Sequence, residues 1–370
     1  MRARQKYNIM EERLSTDVKD MTFSTPERES MVSEKVMSRL KIAGIHPNEA
    51  LGQHFLMDDN AVDLLAQAVS PSNIVIEIGS GVGQLTDALA QRANKVISIE
   101  IDRRYEPILD EVIQEHPNVQ VVYGDALATR FEDFFPKRKK DMKDQEGVQI
   151  IASLPYHITE PFLHKLIGLP LESVTLVVGQ RLSRAIQAKN ENDPDFGQLT
   201  LLAQTFFEIE VLAELEKQKF FPIPRTDSTI IRLIPKEKEE FRSNRRNFLL
   251  RRLFTTAKRS PLVKNALKEG LIEFSHVSQI GTRSKREHNK RVRNSAKIQL
   301  RQAVDEYNHS GSLEPKPEHH NGNSILLTQN QAWAIIEEMG ISQEALDKPF
   351  EQLNNNELEA LSKALRGNLS

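Results

Sequence analysis

Seven short apolar runs mark the middle of the chain, and most of the stretches between them carry helical periodicity. Ile74-Val75-Ile76, Val96 to Ile101, Val119 to Tyr123, Val148 to Ala152 and Val174 to Val178 are rich in β-branched and aliphatic residues. They are too short for helices and read as buried strands. Segments such as Asp87-Ala88-Leu89-Ala90 between them read as helix. Strands alternating with helices imply a parallel sheet covered on both faces. The last two runs, Phe206 to Leu212 and Ser228 to Leu233, leave no room for a helix between them and are expected to pair antiparallel at the sheet edge. The expected fold class is therefore α/β, Rossmann-like, with a mostly parallel seven-stranded sheet. Residues 240–272 and 325–367 read as a smaller C-terminal helical domain. Within it, Thr328-x-x-Gln331 forms a possible capping box, and Gly340 and Gly367 fit helix ends.

The strand ends carry candidate chemistry. The first run leads into Glu77-Ile-Gly-Ser-Gly-Val-Gly83 and then a helix. Glycines let a backbone approach a ligand closely, and the helix start offers free N–H groups. The spacing Glu-x-Gly-x-Gly-x-Gly differs from the Gly-x-Gly-x-x-Gly of dinucleotide binders. It resembles the turn of S-adenosylmethionine-dependent methyltransferases; the plain alternative is a tight turn with no ligand. The second strand ends at Glu100, where a carboxylate can accept both ribose hydroxyls of a nucleoside. The third ends at Asp125, where an acid can accept from an adenine amino group. Singly, each acid also reads as a solvated strand end. The fourth strand runs into Ser153-Leu154-Pro155-Tyr156, which resembles the Asn/Asp/Ser-Pro-Pro-Tyr motifs of enzymes that methylate exocyclic amines of bases. An aryl amine is a poor nucleophile because its lone pair is delocalised. Acceptors on both N–H groups, here the Ser153 side-chain oxygen and the Leu154 or Pro155 carbonyl, free that lone pair. Tyr156 can stack on a base taken out of its helix.

Residues from about 40 to 270, and again from about 325 to 367, resemble the ribosomal RNA adenine dimethyltransferases of the KsgA type. Leu51-Gly-Gln-His-Phe-Leu56 resembles the family's lead-in motif Gly-Gln-Asn-Phe-Leu. Glu77 to Gly83, Glu100-Ile-Asp102, Gly124-Asp125-Ala126 and Leu154-Pro-Tyr156 follow in family order. Phe220-Phe-Pro-Ile-Pro-Arg-Thr-Asp-Ser228 resembles Phe-x-Pro-Pro-Pro-Lys-Val-Asp-Ser, and Met339-Gly-Ile341 to Leu365 resembles the C-terminal helices. The resemblance implies a class I methyltransferase with S-adenosyl-L-methionine as cofactor. It implies ribosomal RNA and the small ribosomal subunit precursor as partners, and N6-methylation of adenines there, most often dimethylation. On this reading Gly79, Gly81, Glu100, Asp125 and Ser153 hold the cofactor, helped by the backbone around His54 and Leu56. Ser153, Leu154, Pro155 and Tyr156 orient the amine and base, and Phe220 covers the base's other face. Three positions depart from the family: Ser153 and His54 each stand where it has asparagine, and Gln180-Arg-Leu replaces Gln-Lys-Glu. Two other readings stay open: a catalytically weak or inactive ribosome-assembly factor, motivated by Ser153, and a resistance methylase of large-subunit RNA.

Charge adds an RNA surface. Residues 241–301 hold 17 Lys/Arg against three Glu, a net +14, which leaves −16 for the rest of a chain whose total is −2. Arg245, Arg246, Arg251, Arg252, Lys258 and Arg259 fall on a helical pattern and are candidate phosphate contacts; the plain alternative is a solvated helix face. A second group, Arg283 to Arg301, holds eight basic residues and one acid. Without cysteine, neither a disulfide nor a thiolate metal site can form, and the ten histidines lack ligand spacing, so no metal is expected. No run of 18 apolar residues suggests a membrane span, and the N-terminus has acids rather than an apolar signal core. The expectation is a cytoplasmic monomer. Its expected organisation is a mobile tail over 1–35, a methyltransferase domain over 36–235 and a helical RNA-binding domain over 236–370. A flexible basic insertion is expected at about 275–324.

Overall fold

The computed structural model describes residues 31–48, 51–71, 73–136, 147–154, 158–237, 240–241, 244–256, 262–278 and 327–367. Most of the expected tail and insertion, together with Pro155, Tyr156, Lys258, Arg259 and the group Arg283 to Arg301, lie outside these residues.

A seven-stranded sheet forms the centre. Its strands are β2 (Ile74–Ile78), β3 (Lys95–Glu100), β4 (Val119–Tyr123), β5 (Val148–Ser153), β6 (Ser173–Gly179), β7 (Phe207–Leu215) and β9 (Ser228–Pro235). They lie in the order β4-β3-β2-β5-β6-β9-β7. The first five are parallel, and β9 runs antiparallel to both β6 and β7. The expected antiparallel edge is present, with one difference. Phe206 ends a helix that passes directly into β7, which then continues through a bulge at Val211/Ala213 to Leu215.

Period-two alternation explains why the strand sequences look uniformly apolar. Ile74, Ile76, Ile150 and Leu176 face one layer. Val75, Val96, Ile151 and Val177 face the other. The first layer is closed by α5 (Thr159–Leu166) through Phe162 and Leu163 and by α7 (Gln198–Phe206) through Leu202 and Ala203. Between them in sequence, α6 (Gln180–Gln187) adds Ile186. The second layer is closed by α2 (Asp59–Gln67), through Val62 and Leu65, and α3 (Gln84–Ala90), through Leu85 and Leu89.

An N-terminal helix, α1 (Met31–Ala43), begins inside the segment read as tail. Val36 and Leu40 pack with Val82, Tyr105 and Leu109, the last from α4 (Glu106–Glu115). Arg39, 9% exposed, donates to the Val82 carbonyl at 2.7 Å and pairs with Asp87 at 2.9 Å. Two very short strands, β1 (Phe55–Leu56) and β8 (Phe220–Phe221), pair antiparallel although far apart in the chain, with Phe55 opposite Phe221 and Leu56 opposite Phe220.

The helical domain has its own core. It comprises α8 (Arg245–Thr256), α9 (Val263–Ser278), α10 (Gln329–Glu338), α11 (Gln343–Leu346) and α12 (Asn355–Gly367). Leu249, Leu253, Leu267, Ile336 and Leu361 are its buried centre. Thr328 and Gln331 form the expected capping box, and Gly340 takes the left-handed φ of +67° just past α10. Phe254 joins the two units, lying 5.7 Å from Phe206 and 4.8 Å from Phe350 between ring centroids. Buried Glu191 accepts from Ser362 at 2.5 Å and pairs with Arg366 at 3.1 Å, both on α12.

Candidate active site

The sheet order reverses direction at β2: the chain moves outward to β3 and β4, then crosses back to lay β5 on the other side. Loops leaving β2 and β5 therefore diverge and open a crevice at the strand C-termini, the usual ligand position in such sheets. A cavity lies there. Gly79, Gly81, Glu100, Asp125, Ser153, Leu154 and His54 all line it, with Gln53, Phe55, Ile101 and Tyr105. One pocket thus brings together residues separated by about 100 positions.

The glycine turn is held from below. Glu77 is fully buried, and its Oε2 accepts from Ser98 at 2.5 Å and from Thr86 at 2.6 Å. Ser80 donates in turn to Ser98. Burial pushes the Glu77 carboxyl up from 4.5 to about 7, against the lowering effect of those hydroxyls. Gly79 and Gly81 have φ of +82° and +54°. At Gly81 a side chain is also excluded by space, because a Cβ would sit 2.7 Å from Cε1 of Phe55.

Glu100 is 4% exposed, and each of its oxygens accepts a backbone N–H: Gly81 at 2.7 Å and Asp102 at 2.8 Å. Desolvation still raises its pKa. Asp125 is exposed at the cavity rim, where one oxygen accepts from Leu127 N at 2.8 Å and stiffens the turn. Ser153 ends β5, half-buried, opposite Val177.

Phe220 faces elsewhere, and Leu56 turns its side chain away, which leaves its backbone for the role expected of it. The Leu56 side chain is 3% exposed in the core, one residue beyond the cavity wall. Phe220 is 4% exposed and packs in that same core layer, so its ring does not cover a base. The pairing of β1 with β8 is the cause: it turns Leu56 and Phe220 inward together. Pro155 and Tyr156 fall outside the described residues.

Sequence reasoning missed the fastening of the lead-in loop. Gln53 donates to Asp102 Oδ2 at 2.8 Å and accepts from the Tyr105 hydroxyl at 2.9 Å. Arg104 holds the Asp102 carboxyl down to about 2, with the Gln53 bond assisting. Both residues stand within the Gly-Gln-His-Phe and Glu-Ile-Asp motifs, so the signal was present, but their mutual bond was not visible.

The α8 arginines do not form one open face. Arg252 bridges to Glu269 at 2.9 Å and Glu273 at 2.7 Å on α9. Arg246 donates to Ser362 at 3.0 Å on α12. Both act inside the helical domain. Arg251 lies over the Phe241 ring, 5.1 Å from its centroid. Arg245 is half-buried, and its Nε and Nη2 have no acceptor among the described residues. Burial lowers its pKa. No helix among the described residues is long and apolar enough to cross a membrane.

Known proteins resemble this chain in sequence. The family model described as ribosomal RNA adenine dimethylase matches residues 45–306. The ribosomal RNA small subunit methyltransferase A of Bacillus cytotoxicus is 33% identical over 219 residues, covering 58% of this chain and 71% of the relative. That of Listeria welshimeri is 35% identical over 203 residues, covering 54% and 68%. A solved dimethyladenosine transferase from Plasmodium falciparum is 23% identical at a TM-score of 0.45, covering 80% of this chain and 100% of that one. With more than half of its length matched by the family model, this chain belongs to the ribosomal RNA adenine dimethylase family.

Proposed function

We propose that this protein transfers methyl groups from S-adenosylmethionine to the N6 amines of adenines in small-subunit ribosomal RNA. The observation that carries the reading is one cavity lined by the glycine turn, the buried Glu100 carboxylate and the Ser153-Leu154 end of β5. That combination sets nucleoside-binding groups beside groups suited to an exocyclic amine.

The residues present fit the cofactor. Glu100 keeps acceptor capacity for a ribose diol beyond its two backbone bonds, and its buried place makes such bonds strong. Gln84 Oε1, in the cavity wall, is buried without a donor among the described residues. It is suited to accept from an ammonium group. Asp125 sits at the rim, within reach of the cavity's outer end. S-adenosylmethionine supplies an activated methyl group on a sulfonium centre when bound.

The chain's own part is positioning and electrostatics. The Ser153 hydroxyl accepts one amine N–H, and a backbone carbonyl of the Leu154-Pro155 segment accepts the other. Together they localise the nitrogen lone pair. Gln53 and Tyr105 line the cavity's side, joined to each other by a hydrogen bond and backed by Asp102, which accepts from Gln53. Arg245 and Arg251, with the basic residues that follow Ser278, are the candidates for RNA phosphates. Mass spectrometry of ribosomal RNA from cells with and without the protein tests the reading. Loss of N6-methylated adenine from small-subunit RNA supports it, and identical modification profiles refute it.

A further inference from the structure

We propose that His54 is a positioning residue, whose Nδ1–H holds the turn after Phe221 against the cofactor-side loop. This rests on the methyltransferase reading above. His54 Nδ1 lies 2.7 Å from the carbonyl oxygen of Pro222. A carbonyl only accepts, so Nδ1 carries the proton. The bond spans 168 residues of sequence.

It belongs to a joint between the lead-in motif and the Phe-Phe-Pro motif. The β1–β8 pairing forms the centre of that joint. Met57 N donates to the Lys219 carbonyl at 2.8 Å, and Lys219 pairs with Asp58 at 3.0 Å. Those contacts hold residues 219 to 221. The His54 bond reaches one residue farther, to where the chain leaves β8. The next residue, Ile223, is an apolar side chain 60% exposed. His54 itself lines the cavity shared with Ser153. It therefore ties the cavity wall to an exposed turn.

The bond also explains the substitution. Asparagine and histidine both carry a nitrogen on Cγ, so Asn Nδ2–H and His Nδ1–H have the same reach. Histidine in place of the family's asparagine keeps the donor. Aspartate has asparagine's shape but offers only acceptors, and would face the Pro222 carbonyl with like polarity. The side chain thus serves the turn, which leaves the backbone at His54 for the cofactor role expected of it.

The test compares the full-length wild type with His54→Ala, His54→Asn and His54→Asp. Three quantities are measured: calorimetric affinity for S-adenosylhomocysteine, methyl transfer from labelled cofactor to unmethylated small subunits, and amide hydrogen exchange over residues 216–228. His54→Ala and His54→Asp are expected to exchange faster there and to lose about tenfold or more in kcat/KM, with cofactor affinity within about twofold. His54→Asn is expected to match wild type in all three. If His54→Asn is as impaired as His54→Asp, the donor role is wrong. If His54→Ala weakens cofactor binding along with turnover, His54 is a cofactor group and the proposal falls. Unchanged exchange in both His54→Ala and His54→Asp overturns it as well. Should His54→Ala fail to fold, the Asn and Asp pair still decides. Absence of methyl transfer by wild type counts against the enzymatic reading alone, since the exchange data still test the bond.

Discussion

Replacing Glu77 by glutamine should reshape the pH dependence of stability. Glu77 is fully buried with its pKa raised from 4.5 to about 7, chiefly by loss of solvation. A raised acid pKa means that the folded state binds a proton more tightly than the unfolded chain. Between pH 4.5 and about 7 the folded protein therefore holds more protons, and its stability falls as pH rises through this window. The shift converts to about 3 kcal/mol in full, of which roughly 2–3 kcal/mol lies between about pH 5 and about pH 8. Glutamine keeps an oxygen for the Ser98 and Thr86 hydroxyls but cannot ionise. Its amide nitrogen replaces Oε1, which has no partner among the described residues. The stability of the variant relative to wild type must rise with pH through this window. Urea unfolding of the cofactor-free protein, followed by circular dichroism across that range, measures the difference. All other titrating groups are common to both proteins and largely cancel. Two curves that stay parallel within about 1 kcal/mol would refute the desolvation argument, because an ordinary carboxyl at this position predicts no divergence.

Four further outcomes are expected. Glu100→Ala should weaken S-adenosylmethionine binding by about 1.5–3 kcal/mol in calorimetry, the scale of hydrogen bonds to a charged group; undiminished affinity would remove Glu100 from the site. Ser153→Ala should lower turnover by about 10²–10³ with cofactor affinity retained, and Ser153→Asn should retain or raise it. Equal, substantial activity in wild type and Ser153→Ala would leave the orientation to backbone and Tyr156. Gly81→Ala should destabilise by about 1–3 kcal/mol, combining left-handed strain with contact on Phe55; an unchanged unfolding midpoint would contradict it. Arg245→Ala with Arg251→Ala should flatten the log–log salt dependence of RNA binding, whereas Arg252→Ala should leave that slope alone and loosen the contact between α8 and α9. A larger slope change from Arg252 than from the other pair would reverse the assignment.

The strands, the glycine turn and the strand-end acids were determined by local pattern. Ile74 to Ile78 alternates between two buried faces, Gly79 and Gly81 need positive φ, and Glu100 follows an apolar run, so neighbours in sequence were enough to place each. The capping box at Thr328 and Gln331 was local in the same way. What only the tertiary structure decided depends on pairs far apart in the chain. Phe220 looked like a base-covering residue because it stands in the Phe-Phe-Pro motif, but the β1–β8 pairing turns its ring into the core beside the Leu56 side chain. Arg252 and Arg246 looked like part of an RNA face because their own helix is basic, yet their acceptors lie on α9 and α12. Gln53 found its acceptor on Asp102, and His54 found its own on Pro222. A helix or strand records its own periodicity, because that depends on residues a few positions apart. A side chain's partner is chosen by how the elements pack, and one-residue alternation in a short strand is enough to send it to a ligand or to the core.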